Sequence, residues 1–117
     1  MSHMFHITTS SAWDEARAAG AYEPPSLAGE GFIHLSDVDQ VVGVANRAFR
    51  GERDLVLLCV SPERLTADVK REYAEDAGEA FPHLYGALNL DAVVQVVAFS
   101  EGPDGFELPA QARAAQP

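Results

Sequence analysis

Residues 4–9, MFHITT, alternate in polarity, which predicts a strand with Phe5 and Ile7 on one face and His6 and Thr8 on the other. The segment 10–20, SSAWDEARAAG, has the spacing of a helix. Ser11 is placed to cap it, with Asp14 three residues on, and Gly20 suits its exit. AYEPPSLAGEG, 21–31, reads as a loop because Pro24 and Pro25 interrupt regular structure and glycines permit tight turns. FIHLS, 32–36, predicts a second strand. DVDQVVGVANRAFRG, 37–51, predicts a second helix with an apolar stripe of Val38, Val41, Val42, Ala45 and Phe49; Asp37 and Gln40 are spaced as a capping box, and Gly51 ends it.

The following run, DLVLLCV (54–60), is apolar on both faces and predicts a central, buried strand. SPERL is a turn, DVKREYA (68–74) a strand, and EDAGE an acidic exposed connection. FPHLYG (81–86) is extended at its start because Pro82 restrains Phe81. NLDAVVQVVAFS turns at 89–91 and enters a strand at Val93. GPDGFEL reads as a hairpin or edge segment, and 109–117 as a frayed tail. Strands outnumber helices and the two helices come early. The expected architecture is therefore a small single α+β domain with a split, mostly antiparallel sheet. Its expected bounds are 4–108, with 1–3 read as a tag scar ahead of a start at Met4, which leaves His3 without functional weight.

Composition narrows the function classes. The chain has 117 residues, 47% of them hydrophobic, enough for one modest core. Acidic residues number 18 against 8 basic, a net charge of -10 that repels phosphate backbones and anionic lipid. Bulk nucleic acid and membrane are thus not expected partners. Cys59 stands alone inside an apolar strand and reads as a core thiol. No signal peptide or spanning segment is visible, so a cytoplasmic setting is expected. The phosphate loop GxxxxGK[ST], the dinucleotide GxGxxG, the GxSxG turn, Cys-x-x-Cys and His-Glu-x-x-His are all absent.

What remains is a recurring histidine pattern. In FIHLS, His34 and Ser36 share a face; in PHLYG, His83 and Tyr85 do; in MFHIT, His6 and Thr8 do. Each polar pair lies opposite aliphatic residues. Were these faces to line one cleft, imidazoles, hydroxyls and a phenol would suit phosphate, ribose or amide groups. Ser36 precedes a helix and is equally placed to cap it. In KREY, Arg71 and Glu72 face opposite ways, and Glu72 is a candidate acid, base or ribose-orienting carboxylate. Arg47, Arg50 and Arg53 gather near the end of the second helix, where cations complement its dipole.

The segments FHITTSSAW, GFIHLSDVDQV, DLVLLCV and FPHLYGALNLDAVVQV together resemble the bacterial family called domain of unknown function 952, from about Phe5 to Phe99. That resemblance implies a fold like that of the ADP-ribosyltransferases, with a split sheet around an NAD-binding cleft. IHLS also looks like a segment of RNA 2′-phosphotransferases of that fold group. The resemblance implies ligand-binding roles for His6, His34 and Ser36, with Thr8 beside His6 on the same strand face, and a catalytic role for Glu72 or, in its place, His83 and Tyr85, with NAD as substrate and no metal. ADP-ribosyl transfer is then the enzymatic reading. The alternatives are a nucleotide or small-molecule binding module that breaks no bond, and a metal-binding protein using His6, His34 and His83.

Overall fold

The structure, a computed structural model, describes residues 3–114, so the first two residues of the expected tag scar and the last three of the expected tail lie outside it. The central strand is the apolar one. Strand β1 (Met4–Thr9) leads into helix α1 (Ser10–Ala19), strand β2 (Ala21–Tyr22), helix α2 (Pro25–Glu30), strand β3 (Ile33–His34) and helix α3 (Val41–Ala48). Strand β4 (Leu55–Val60) then pairs antiparallel with β1, setting Phe5 against Cys59 and His6 against Leu58. After β4 come β5 (Asp68–Ala74), β6 (Glu79–Tyr85), β7 (Leu88–Asn89), β8 (Val93–Phe99) and the short helix α4 (Ala110–Ala114). β8 flanks the other edge of β4, giving the order β1-β4-β8. With strands on both sides and side chains packed above and below, β4 has no wet face, which accounts for its unbroken apolar run.

A second three-stranded sheet has the order β3-β6-β5, also antiparallel. The two sheets meet at one point. Phe5 and Ser36 exchange both backbone hydrogen bonds, each 2.8 Å. β2 pairs antiparallel with β7 in a further two-stranded sheet. The protein is thus a small α+β domain whose antiparallel sheet is divided into parts.

Two apolar clusters follow from strand alternation. Phe5, Ile7, Leu57, Cys59, Val97 and Phe99 face α3, which contributes Val41 and Ala45. Met4, Leu58 and Val60 face the other way and join Ile33, Leu35 and Leu84 from the second sheet, Ala16 and partly buried Trp13 from α1, and Tyr22. The Cys59 thiol lies in the first cluster, and burial pushes its pKa up to about 11, which suits a core thiol and not a nucleophile.

Local structure departs from the sequence expectations at four places. Thr9, not Ser11, caps α1, accepting from Ala12 N–H at 3.1 Å. The stretch 21–31 is a strand and a helix instead of a loop. Pro25 opens α2 at its first position, where the missing N–H has no intrahelical partner to lose, and Gly31 closes it in the left-handed region at φ 89°. α3 begins at Val41, four residues later than the pattern suggests. The capping contact is nonetheless made, Asp37 N–H donating to Gln40 Oε1 at 2.9 Å. In the expected tail, α4 places Ala112 in the first cluster. GPDGFEL forms a bridge between Gly102 and Gly105, after which Phe106 packs on Phe99 with centroids 4.9 Å apart.

Candidate functional site

Register decides the site. His34 of β3 lies directly across from His83 of β6, which lies across from Lys70 of β5. Paired residues point to the same side of a sheet, so all three stand on its outer face, while Ile33, Leu84 and Val69 turn inward. Two residues along, Tyr85 and Glu72 share that face.

The side chains there form a connected cluster. His83 Nδ1 lies 2.8 Å from Glu72 Oε1, and the Tyr85 hydroxyl donates to the same oxygen at 2.5 Å. These donors, Tyr85 first and His83 second, hold the Glu72 carboxyl below the ordinary carboxylate range. The Tyr85 hydroxyl is shifted upward by the same bond, so it keeps its proton. Lys70 Nζ sits 4.7 Å from the centre of the Tyr85 ring. The His83 Nδ1–H directed at Glu72 leaves Nε2 as the atom available to take a proton, an arrangement in which a carboxylate orients an imidazole. His34 has its own carboxylate, Glu30, 2.9 Å from Nε2. Phe32 stacks on the His83 ring at 4.0 Å and 13°, and touches His34 and Tyr85 with ring centroids 4.9 and 5.4 Å away.

Beside this cluster a cavity of about 410 Å³ opens between α3 and the turn joining β5 to β6. His34, Ser36, Phe81 and His83 line its sheet side; Val44, Arg47 and Ala48 line its helix side. Arg71 grips Asp37 through two bonds of 2.7 and 3.0 Å, and Gln40 Nε2 donates to Ala80 O at 2.7 Å and Glu79 Oε1 at 3.0 Å, tying the start of α3 to β5 and β6. Ser36 does not cap α3, because the helix begins only at Val41, directly after Gln40.

His6 and Thr8 occupy the opposite side. His6 Nδ1–H donates to the His34 carbonyl at 2.6 Å, and its Nε2 lies 2.7 Å from the Tyr22 hydroxyl, with Thr8 Oγ1 3.0 Å beyond. Because a carbonyl only accepts, Nδ1 carries the proton of this bond. Desolvation dominates and lowers the His6 pKa to about 4, outweighing the raising effect of the His34 carbonyl; the charge of His34 lowers it further. His6 therefore holds β3 from behind as a neutral ring. Its pH signature is defined. The unfolded chain takes up this proton below about 6.5 and the folded one only near 4, so stability is complete above about pH 6.5 and falls as pH drops to 4. The loss assigned to His6 is on the order of 3 kcal/mol. Urea unfolding at pH 7 and pH 4.5 should show it, with a shallower dependence in His6→Gln; equal dependence would remove His6 as the cause.

The structure thus brings together His34, Ser36, Glu72, His83 and Tyr85, and separates His6 and Thr8 from them. Both ring nitrogens of His6 are engaged, and among the described residues no group of three or more His, Cys, Asp or Glu side chains is arranged to hold a metal ion. Sequence reasoning missed Phe32 and Glu30, and read Arg47 only as a cation complementing the dipole of its helix. The alternation that joins His34 to Ser36 extends back to Phe32, so that signal was present; Glu30 carried none.

A small, divided α+β sheet with a histidine–carboxylate cluster on one outer face is the class these observations define. Residues 7–96 match the family described as protein of unknown function (DUF952), and the chain belongs to it. It is similar to protein CC0527 from Caulobacter crescentus, whose X-ray structure shares 34% identity at TM-score 0.84, covering 95% of this chain and 98% of that one. The solution NMR structure of CC0527 matches at TM-score 0.69, over 89% and 90% of the two chains. No curated protein matches the chain. No described helix is long and apolar enough to cross a membrane.

Proposed function

We propose that this protein binds NAD or a related nucleotide on the outer face of the β3-β6-β5 sheet and transfers ADP-ribose from it. The observation that carries the reading is Glu72, which accepts from both Tyr85 and His83 beside the cavity. The division of the sheet at the Phe5–Ser36 bridge agrees with the ADP-ribosyltransferase-like resemblance.

In this mechanism Phe32 and the ring of Tyr85 offer flat apolar surface to a base or nicotinamide ring. The ionised Glu72 faces the ribose, where positive charge develops as the glycosidic C–N bond breaks. Nicotinamide leaves with that electron pair. Water or an acceptor hydroxyl forms the new C–O bond, and its proton passes to His83 Nε2. Glu72 acts electrostatically, stabilising the transition state more than the bound substrate. The test is incubation of the purified chain with NAD, following nicotinamide release together with NAD binding by thermal shift. Binding with release supports the reading; neither binding nor release sinks it.

One observation favours a second reading, a binding module without turnover. The Glu72 side chain is 41% exposed, and water screens a carboxylate placed to stabilise charge. NAD binding with no nicotinamide release, across water and hydroxyl acceptors, would select the module.

A further inference from the structure

The cations of this acidic chain are mostly spent. Arg17, Arg50 and Arg71 each pair with a carboxylate, and Lys70 lies over Tyr85. Arg47 and Arg53 have no hydrogen-bond or ion-pair partner among the described residues, and of the two it is Arg47 that lines the 410 Å³ cavity. Its guanidinium folds back along α3 towards Gly43, where an added Cβ would lie 3.5 Å from Nη1. Ser36 lines the same cavity from the sheet side. It is only 6% exposed, and its hydroxyl likewise has no hydrogen-bond partner among the described residues. The Ser36 hydroxyl is free to turn to a ligand in the cavity, and a free guanidinium in a concave site is a ready donor pair.

We propose that Arg47 and Ser36, with the imidazole of His34, form a seat for a phosphoryl group, the phosphate or pyrophosphate of the ligand. The proposal rests on the nucleotide reading of this site and assigns its anionic end. Donors converge from a helix on one side and a sheet on the other, which suits a tetrahedral group with several oxygens better than a planar carboxylate. Glu30 holds the His34 Nε2 at 2.9 Å, which leaves its Nδ1 for the anion. Asp76, on the turn lining the cavity, is the opposing charge.

The experiment is calorimetric titration of the full chain with pyrophosphate, inorganic phosphate and acetate at constant ionic strength. Pyrophosphate should bind and acetate should not. Arg47→Gln should weaken pyrophosphate at least about tenfold with an unchanged melting temperature, Arg47→Lys should recover part of the loss, and Ser36→Ala should weaken it about threefold. Asp76→Asn should tighten binding about two- to threefold by removing a like charge. Failure of the wild type to bind pyrophosphate, equal binding by Arg47→Gln, or acetate binding as tightly as phosphate would each overturn the seat. The two proposals separate cleanly. Nicotinamide release that is indifferent to Arg47→Gln keeps the transfer reaction and removes the seat. Arg47-dependent pyrophosphate binding without nicotinamide release keeps the seat and removes the reaction.

Discussion

Glu72→Gln lowers nicotinamide release from NAD by about two orders of magnitude while leaving NAD affinity within about threefold, the size of loss seen when one preorganised electrostatic group is removed. The amide oxygen of glutamine still accepts from Tyr85 and His83, so the substitution preserves the cluster and removes only the charge. A charge that acts on the developing ribose cation matters in the transition state and hardly in the ground state, so the effect falls on kcat and not on binding. Steady-state release and equilibrium binding, measured on the same preparations, check it. Unchanged turnover would take Glu72 out of the chemistry and leave it as the residue that orients His83. A parallel loss of binding would make it a ligand contact.

Phe5→Ala is expected to destabilise the fold by about 4 kcal/mol, the range for deleting a large buried aromatic side chain. Phe5 is 0% exposed, and its ring belongs to the cluster under α3. Its backbone is also the bridge to Ser36, where the two sheets meet. A cavity there loosens the support of α3, hence the Arg47 side of the site, and ligand affinity should fall with stability. Small domains have a total stability of about 5–15 kcal/mol, so the variant should be marginal at elevated temperature. Urea unfolding measures the loss directly. A change below about 1 kcal/mol would show that the neighbours collapse into the space and that the Phe5 ring is not what supports α3.

Much of the scaffold was legible in the chain. The alternation in Met4–Thr9 and the continuous apolar run of Leu55–Val60 anticipated an outer and a central strand, and they are paired neighbours in one sheet. The opposite faces of Arg71 and Glu72 were legible too: one reaches Asp37, the other His83. Helix α2 was not, because two prolines in a short segment signal a break, and only the actual backbone shows that Pro25 occupies a first turn. The start of α3 was displaced for a similar reason. Capping chemistry marks where a helix is approached, while the first hydrogen-bonded turn depends on how the preceding backbone leaves Ser36.

The sequence by itself determined which residues share a face of each strand, because the period of two is a property of the extended backbone and needs no partner. It therefore paired His34 with Ser36, His83 with Tyr85, and His6 with Thr8. Only the tertiary structure decided which of these faces meet. Strand register set His34 beside His83 and brought Glu72 to both His83 and Tyr85. The meeting of the two sheets turned His6 to the far side, where it bonds the His34 carbonyl instead of joining the cluster. The packing of α3 turned Arg47 over the cavity. These are contacts between segments far apart in the chain, and they follow from which apolar faces bury one another, a choice that no local pattern encodes.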